Sequence, residues 1–188
     1  MALIVTVLGL VSLLSIGFAA SRMRQVDGSY SDLVNRVDAA TVSVARGSRN
    51  VESFVSLVYQ LVSETSAEGS SRLLSRNTEE MKMYEARYRE ALRLIPEKAD
   101  ELQRLNSKAK AMFGECAFVV QAVASADTPE ETSKSVELLK SKCAPLADGV
   151  LQEQTMVLDD LVAYARAVAG NVSADARTSI RMALALVT

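Results

Sequence analysis

Residues 30–62, YSDLVNRVDAATVSVARGSRNVESFVSLVYQLV, repeat apolar side chains with a seven-residue period. The repeat has two companion rows, which are Tyr30, Val37, Val44, Val51 and Val58, and Leu33, Ala40, Gly47, Phe54 and Leu61. Such a repeat places both rows on one face of a helix that packs against other helices. The stretch therefore predicts a long amphipathic helix in a helical bundle.

The rest of the chain predicts three further helices. Thr65–Ser71 (TSAEGSS) breaks the first pattern, Pro96 ends the second because proline lacks a backbone donor, and Asp127–Glu131 (DTPEE) is typical of a helix start. We expect helices at about 22–65, 71–94, 97–125 and 130–180. The first and third helices together are as long as the second and fourth to within about two residues, or roughly 3 Å along the helix axis. The chain is therefore expected to end at the level at which it starts. The sequence therefore predicts an all-α, up-and-down four-helix bundle over 21–180 with long first and fourth helices.

Both ends of the chain are apolar. Residues 2–20 contain no charge and are long enough for a membrane span of roughly 30 Å, so we expect a first transmembrane helix there. A cleaved signal peptide is the alternative, although no basic segment precedes the run. Residues 181–188 indicate the start of a second span. Arg22 and Arg24 follow the first run, and no positive residue precedes it, so the usual charge rule would place the residues after the span in the cytoplasm. We therefore expect that the native chain starts further upstream and that the flank that decides the orientation is missing.

The composition argues against several classes of function. The chain has 21 basic and 23 acidic residues, which leaves no basic field for nucleic acid. It has no histidine and two cysteines, too few of these ligands for a zinc site. It also lacks nucleotide-binding glycine motifs and a serine nucleophile motif. We therefore expect no enzyme activity, no metal site and no cofactor.

Two stretches carry a resemblance to a known family. These are residues 16–44 (IGFAASRMRQVDGSYSDLVNRVDAATVSV), where the apolar run passes into the amphipathic helix, and residues 129–146 (PEETSKSVELLKSKCAPL), at the head of the fourth helix. With the two ends, they resemble the N-terminal four-helix-bundle ligand-binding region of bacterial methyl-accepting chemotaxis receptors.

The resemblance implies a homodimer in the bacterial inner membrane with its bundle in the periplasm. Such a region binds a small molecule or a periplasmic binding protein and passes a shift of its last helix across the membrane to control chemotaxis signalling. Two alternatives stay open: the sensor region of a two-component histidine kinase, and a structural helical membrane protein without a ligand. The sequence does not name the ligand.

Arg46 and Arg49 lie on the polar side of the first helix, across from Val44 and Val51. In the receptors that the chain resembles, arginines of the first helix hold ligand carboxylates, which match the guanidinium fork. The resemblance makes these two arginines candidate ligand-binding residues. The alternative is that both are solvated arginines on an exposed face.

Cys116 and Cys143 fall in inward rows of the third and fourth helices. Counted from the turn near Thr128, their axial offset is roughly 4 to 5 Å on adjacent antiparallel helices. A disulfide is possible at that offset in an oxidising periplasm. Otherwise both residues are small buried hydrophobes.

Overall fold

The computed structural model describes the backbone of residues 2–126 and 128–185. It describes the side chains of residues 34–126 and 128–170, together with those at 17, 20, 21, 28 and 31. By compactness the chain divides into two units, one formed by residues 39–161 and the other by residues 1–38 with 162–188. The packing below is that of the unit formed by residues 39–161, which we call the bundle.

The described backbone is helical and contains no strand. Its α-helices are α1 (Ala2–Ser63), α2 (Ala67–Leu94), α3 (Ala99–Ala124), α4 (Pro129–Leu138) and α5 (Ala144–Ala185). A 3₁₀ turn (Pro96–Lys98) joins α2 to α3, and a π-helical turn (Leu139–Cys143) joins α4 to α5. Backbone angles stay helical through this π turn, so α4, the turn and α5 form one continuous fourth arm. The all-helical prediction is confirmed.

Consecutive helices of the bundle run antiparallel. The Asn77 side chain of α2 donates to the carbonyl of Phe54 in α1, whereas Tyr88, further along α2, packs on Gly47, earlier in α1. The fourth arm runs against α3 in the same way, since Lys98 pairs with Asp160 and the later residue Cys116 bonds to the earlier residue Cys143. The bundle therefore has up-and-down topology, and α1 enters it at the end where α5 leaves it, near the 3₁₀ turn.

The α1 repeat forms one side of the core. Ala40, Val44, Gly47, Val51, Phe54, Val58 and Leu61 are all buried, as the two rows predict, and so is Val37, which belongs to the other unit. Tyr30 and Leu33 lie outside the described side chains. Burying apolar side chains of this size contributes about 1.5–3 kcal/mol each relative to leaving them exposed, so this face is a main source of stability.

The second helix begins at Ala67, earlier than the predicted residue 71. Ser66 caps it, because its hydroxyl accepts a hydrogen bond from the amide of Gly69 at 3.1 Å. The connection from α1 is only residues 64–66, and the Glu64 carboxylate accepts from the amides of Thr65 and Ser66. Most of the predicted break at Thr65–Ser71, including Gly69, therefore lies in the first turns of α2.

The fourth arm departs from a strict seven-residue repeat at the π turn. Its buried positions run Ser135, Leu139, Cys143 and Ala147, a spacing of four, because the π turn adds a residue to the helical turn. Leu146 is 42% exposed as a result. Pro145 follows directly and cannot donate to the preceding turn, and the widened turn accommodates it within a continuous helix.

Candidate functional site

A groove of about 350 Å³ lies between α1 and α2 on the bundle surface. We call it the arginine groove, and its lining residues are Arg46, Arg49, Asn50, Ser53, Glu80, Met83 and Arg87. In each helix the lining residues recur three, four or seven positions apart, which places them on one face. The groove therefore contains both arginines that the sequence nominated, and adds a third arginine and a carboxylate.

Glu80 is held against α1. The Asn50 side chain donates to one oxygen of its carboxylate at 2.5 Å, and the Ser53 hydroxyl donates to the other at 2.9 Å. Both oxygens therefore have a partner that is not an arginine. The carboxylate remains a negative charge at a fixed place in the groove.

The three arginines of the groove have no such partner. Among the described residues, no carboxylate lies within 4.0 Å of the guanidinium groups of Arg46, Arg49 or Arg87. Three positive charges thus face one negative charge, and the excess positive charge favours an anion. A guanidinium binds carboxylate or phosphate through two parallel hydrogen bonds, so the chemistry of the groove suits a small anionic ligand.

A buried polar cluster lies directly behind the groove. Gly47 follows Arg46 in the chain, and Tyr88 follows Arg87. A Cβ atom on Gly47 would lie 2.8 Å from Cε2 of Tyr88, so only glycine lets the ring pack there. Across the core, Nε2 of Gln154 in α5 donates to the Tyr88 hydroxyl at 3.0 Å. Tyr88 therefore connects the groove helices to the fourth arm.

This cluster contains polar atoms that lack a partner. Tyr84 stacks on Tyr88 with ring centroids 4.5 Å apart, and both tyrosines are fully buried. Within the described part of the chain, no hydrogen bond reaches the Tyr84 hydroxyl or Oε1 of Gln154. We call Gly47, Tyr84, Tyr88 and Gln154 the polar layer. An unsatisfied buried polar group costs about 1–3 kcal/mol, so these atoms offset part of the stability that burial of the two rings contributes.

Burial also controls ionisation in the polar layer. Desolvation raises the pKa of the Tyr88 phenol to about 12 and raises the pKa of the Tyr84 phenol as well. Both hydroxyl groups are therefore protonated at neutral pH. Each can donate a hydrogen bond as well as accept one.

Cys116 and Cys143 form a disulfide with an Sγ–Sγ distance of 2.05 Å and a Cα–Cα distance of 5.1 Å. Both residues are fully buried, and Cys143 is the last residue of the π turn. The bond ties this turn to α3. Among the described residues, no group of three or more acidic or cysteine side chains could hold a metal ion.

Sequence reasoning nominated Arg46 and Arg49, which both line the groove, but did not single out Arg87 or Glu80. Arg87 and Glu80 lie in a charge-dense part of α2, and only the pairing with α1 selects them from their neighbours. The sequence could have indicated Gln154, because its spacing from Val150 and Val157 is that of a core residue. A polar residue at such a position indicates a buried hydrogen-bonding partner.

Of the side chains in the predicted spans at 2–20 and 181–188, only those at 17 and 20 are described. Within the part that is described, no helix has an apolar segment of the length a bilayer crossing requires.

Comparison with known proteins gives no relative: no protein-family profile, no curated protein sequence and no solved structure matches the chain.

Proposed function

We propose that the chain is the extracytoplasmic sensing region of a bacterial receptor of the chemoreceptor type. In this proposal it is a homodimer held in the inner membrane by residues 2–20 and by a second span that starts at residue 181. A small anionic ligand binds in the arginine groove. The fourth arm passes the signal across the membrane to the machinery that controls chemotaxis.

The observation that carries this proposal is the path of the outer helices. Within the bundle, the first residues of its α1 segment and the last residues of its α5 segment lie at the same end, next to the contact between Lys98 and Asp160. Helices α1 and α5 are much longer than α2 and α3, with 62 and 42 residues against 28 and 26. Both lead in sequence to the apolar ends of the chain. This is the connectivity expected of a sensing bundle between two spans.

Two further features support the proposal. The disulfide between Cys116 and Cys143 is typical of proteins in an oxidising compartment such as the periplasm. The arginine groove offers three guanidinium groups without a carboxylate partner among the described residues, which suits a carboxylate ligand.

A thermal-unfolding screen of the full chain in detergent tests direct ligand binding. Amino acids, organic acids and aromatic acids are added in turn, and we expect a carboxylate to raise the melting temperature. A ligand at 100 times its Kd stabilises the folded state by about 2.7 kcal/mol. Arg46→Gln and Arg49→Gln should each abolish the shift, whereas Arg76→Gln, an exposed α2 arginine outside the groove, should retain it.

The screen has a clear negative result. If no carboxylate shifts the melting temperature, or if the shift survives both groove substitutions, the groove is not the ligand site. Absence of any shift would favour sensing through a binding protein or a structural protein without a ligand, whereas a shift that survives would mean that the ligand binds elsewhere.

Thiol alkylation in bacterial cells tests the compartment. With the bundle in the periplasm, Cys116 and Cys143 should resist a maleimide after denaturation until a reductant is added. Cys116→Ser is the control, because its single remaining thiol must react without reductant. Reaction of the wild-type chain without reductant would place the bundle in a reducing compartment and contradict the proposal.

A further inference from the structure

The polar layer lies between the arginine groove and the fourth arm, and it contains a donor and an acceptor that do not meet. The Tyr84 hydroxyl lacks a partner, and so does Oε1 of Gln154. Tyr84 precedes Tyr88 by one helical turn, and the stacked rings bring the two phenols side by side. Gln154 hydrogen-bonds to Tyr88 and leaves Tyr84 unsatisfied. A turn of the flexible Gln154 side chain toward Tyr84 would pair these two groups.

We propose that the polar layer is a hydrogen-bond switch that couples the arginine groove to α5. In the first arrangement, Nε2 of Gln154 donates to the Tyr88 hydroxyl. In the second, the side chain of Gln154 swings one turn along α2, and the Tyr84 hydroxyl donates to its Oε1. Each arrangement satisfies one phenol and leaves the other without that partner, so neither is strongly preferred over the other.

The groove biases the switch through Tyr88. An anion between Arg46 and Arg87 draws their backbones together, and those backbones carry Gly47 and Tyr88. The Tyr88 ring packs closely against Gly47, because a Cβ atom on Gly47 would lie only 2.8 Å from the ring. Movement of this part of α2 therefore moves the Tyr88 hydroxyl relative to Gln154. Gln154 lies in α5, and α5 continues beyond the bundle. A change in the hydrogen-bond partner of Gln154 is therefore transmitted along this helix.

A double-variant cycle tests the switch without any ligand. The unfolding equilibrium constant of the full chain in detergent is measured for Tyr84→Phe, Tyr88→Phe and the double variant. With a switch, Tyr88→Phe alone is mild because Gln154 moves to Tyr84, and the double variant removes both partners. We expect its constant to rise at least tenfold beyond the product of the single changes. Simple multiplication of the two single effects would overturn the switch.

The coupling rests on the proposed function, and a second measurement tests it separately. Inorganic phosphate is the probe, titrated against the full chain by calorimetry. By linkage, fixing Gln154 on Tyr88 with Tyr84→Phe should change the phosphate Kd at least threefold. Tyr59→Phe, at a 43% exposed tyrosine of α1, should leave the Kd unchanged, and Arg46→Gln should abolish binding.

The two failures differ. An unchanged Kd in Tyr84→Phe would overturn the coupling and leave the anion groove standing. Absence of phosphate binding by the wild-type chain would remove the groove as an anion site and the coupling with it, whereas the double-variant cycle would still decide whether the switch exists.

Discussion

Two neighbouring layers of the same bundle core differ in the chemistry of their side chains. The apolar layer is formed by Phe54, Phe113, Cys116 and Cys143, with the rings edge to face at 4.9 Å and the cysteines bonded. The polar layer contains two phenols, one amide and a glycine, and it retains unsatisfied atoms. The apolar layer contains no polar side-chain atom, whereas each unsatisfied atom of the polar layer costs about 1–3 kcal/mol.

The largest effect should come from opening the apolar layer. Phe113 is 2% exposed and contacts the rings of both Phe54 and Tyr84. Phe113→Ala should lower the free energy of unfolding by about 3–5 kcal/mol, because it leaves a cavity. Phe118→Ala, in the same helix at a 66% exposed position, should change it by less than about 0.5 kcal/mol. Denaturant unfolding followed by circular dichroism measures both, and equal losses would contradict the apolar-layer description.

Removing the disulfide is the next largest change. Cys116 and Cys143 are 27 residues apart, and closing a loop of that length stabilises the folded state by about 3.5 kcal/mol in the chain-entropy treatment. The Cys116→Ala, Cys143→Ala double variant should lose most of that free energy. Reductant should lower the stability of the wild-type chain and leave the variant unchanged. A wild-type chain that is insensitive to reductant would show that the bond does not form.

The buried positions of the core could be predicted from the sequence only where the helical repeat is regular. The heptad rows of α1 correctly predict the apolar residues with which this helix builds the core, and Pro96 predicts the break between α2 and α3. Periodicity carries this information because burial of one helix face repeats along the chain. The π turn breaks that repeat in the fourth arm, so Leu146 is exposed and Ala147 is buried instead.

The residues of the candidate site are brought together by contacts between helices rather than by their spacing within one helix. Arg46 and Arg49 are visible as arginines on a polar face, but Arg87 and Glu80 gain meaning only from the register of α2 against α1. The contact of Gly47 with Tyr88 likewise joins residues 41 positions apart in the sequence. Spacing within one helix cannot specify which residues meet between helices.

A pair of glycine substitutions sharpens the contrast within the bundle. Gly47→Ala forces a Cβ against the fully buried Tyr88 ring, and overpacking of this kind costs about 1–3 kcal/mol. Gly114 is exposed in α3 with no atom near its Cβ position, so Gly114→Ala should stabilise the chain by about 0.5–1 kcal/mol through helix propensity. Thermal unfolding should therefore shift in opposite directions. A gain in both variants would mean that the Tyr88 ring has room to move.

The smallest effect concerns the outer edge of the polar layer, where Glu153 precedes Gln154. The Glu153 carboxylate accepts hydrogen bonds from Lys108 at 2.6 Å and from Arg104 at 3.4 Å. The Lys108 bond, with help from Arg104, holds the pKa of the Glu153 carboxyl below its usual value. Because the folded-state pKa is lowered, the stabilisation is present above the unfolded pKa and is lost as pH falls through the folded value.

Exposed ion pairs of this kind contribute about 0.2–1 kcal/mol, so the loss on acidification below about pH 4 should be of that size. Unfolding of the wild-type chain and of Glu153→Gln is compared at pH 7 and pH 3, and the variant should lose less stability between them. Glu115→Gln, at an exposed α3 position, should behave like wild type. If Glu153→Gln instead loses more than about 2 kcal/mol at both pH values, Glu153 would be a structural member of the polar layer. The boundary between that layer and the surface would then lie one residue further out than the hydrogen bonds indicate.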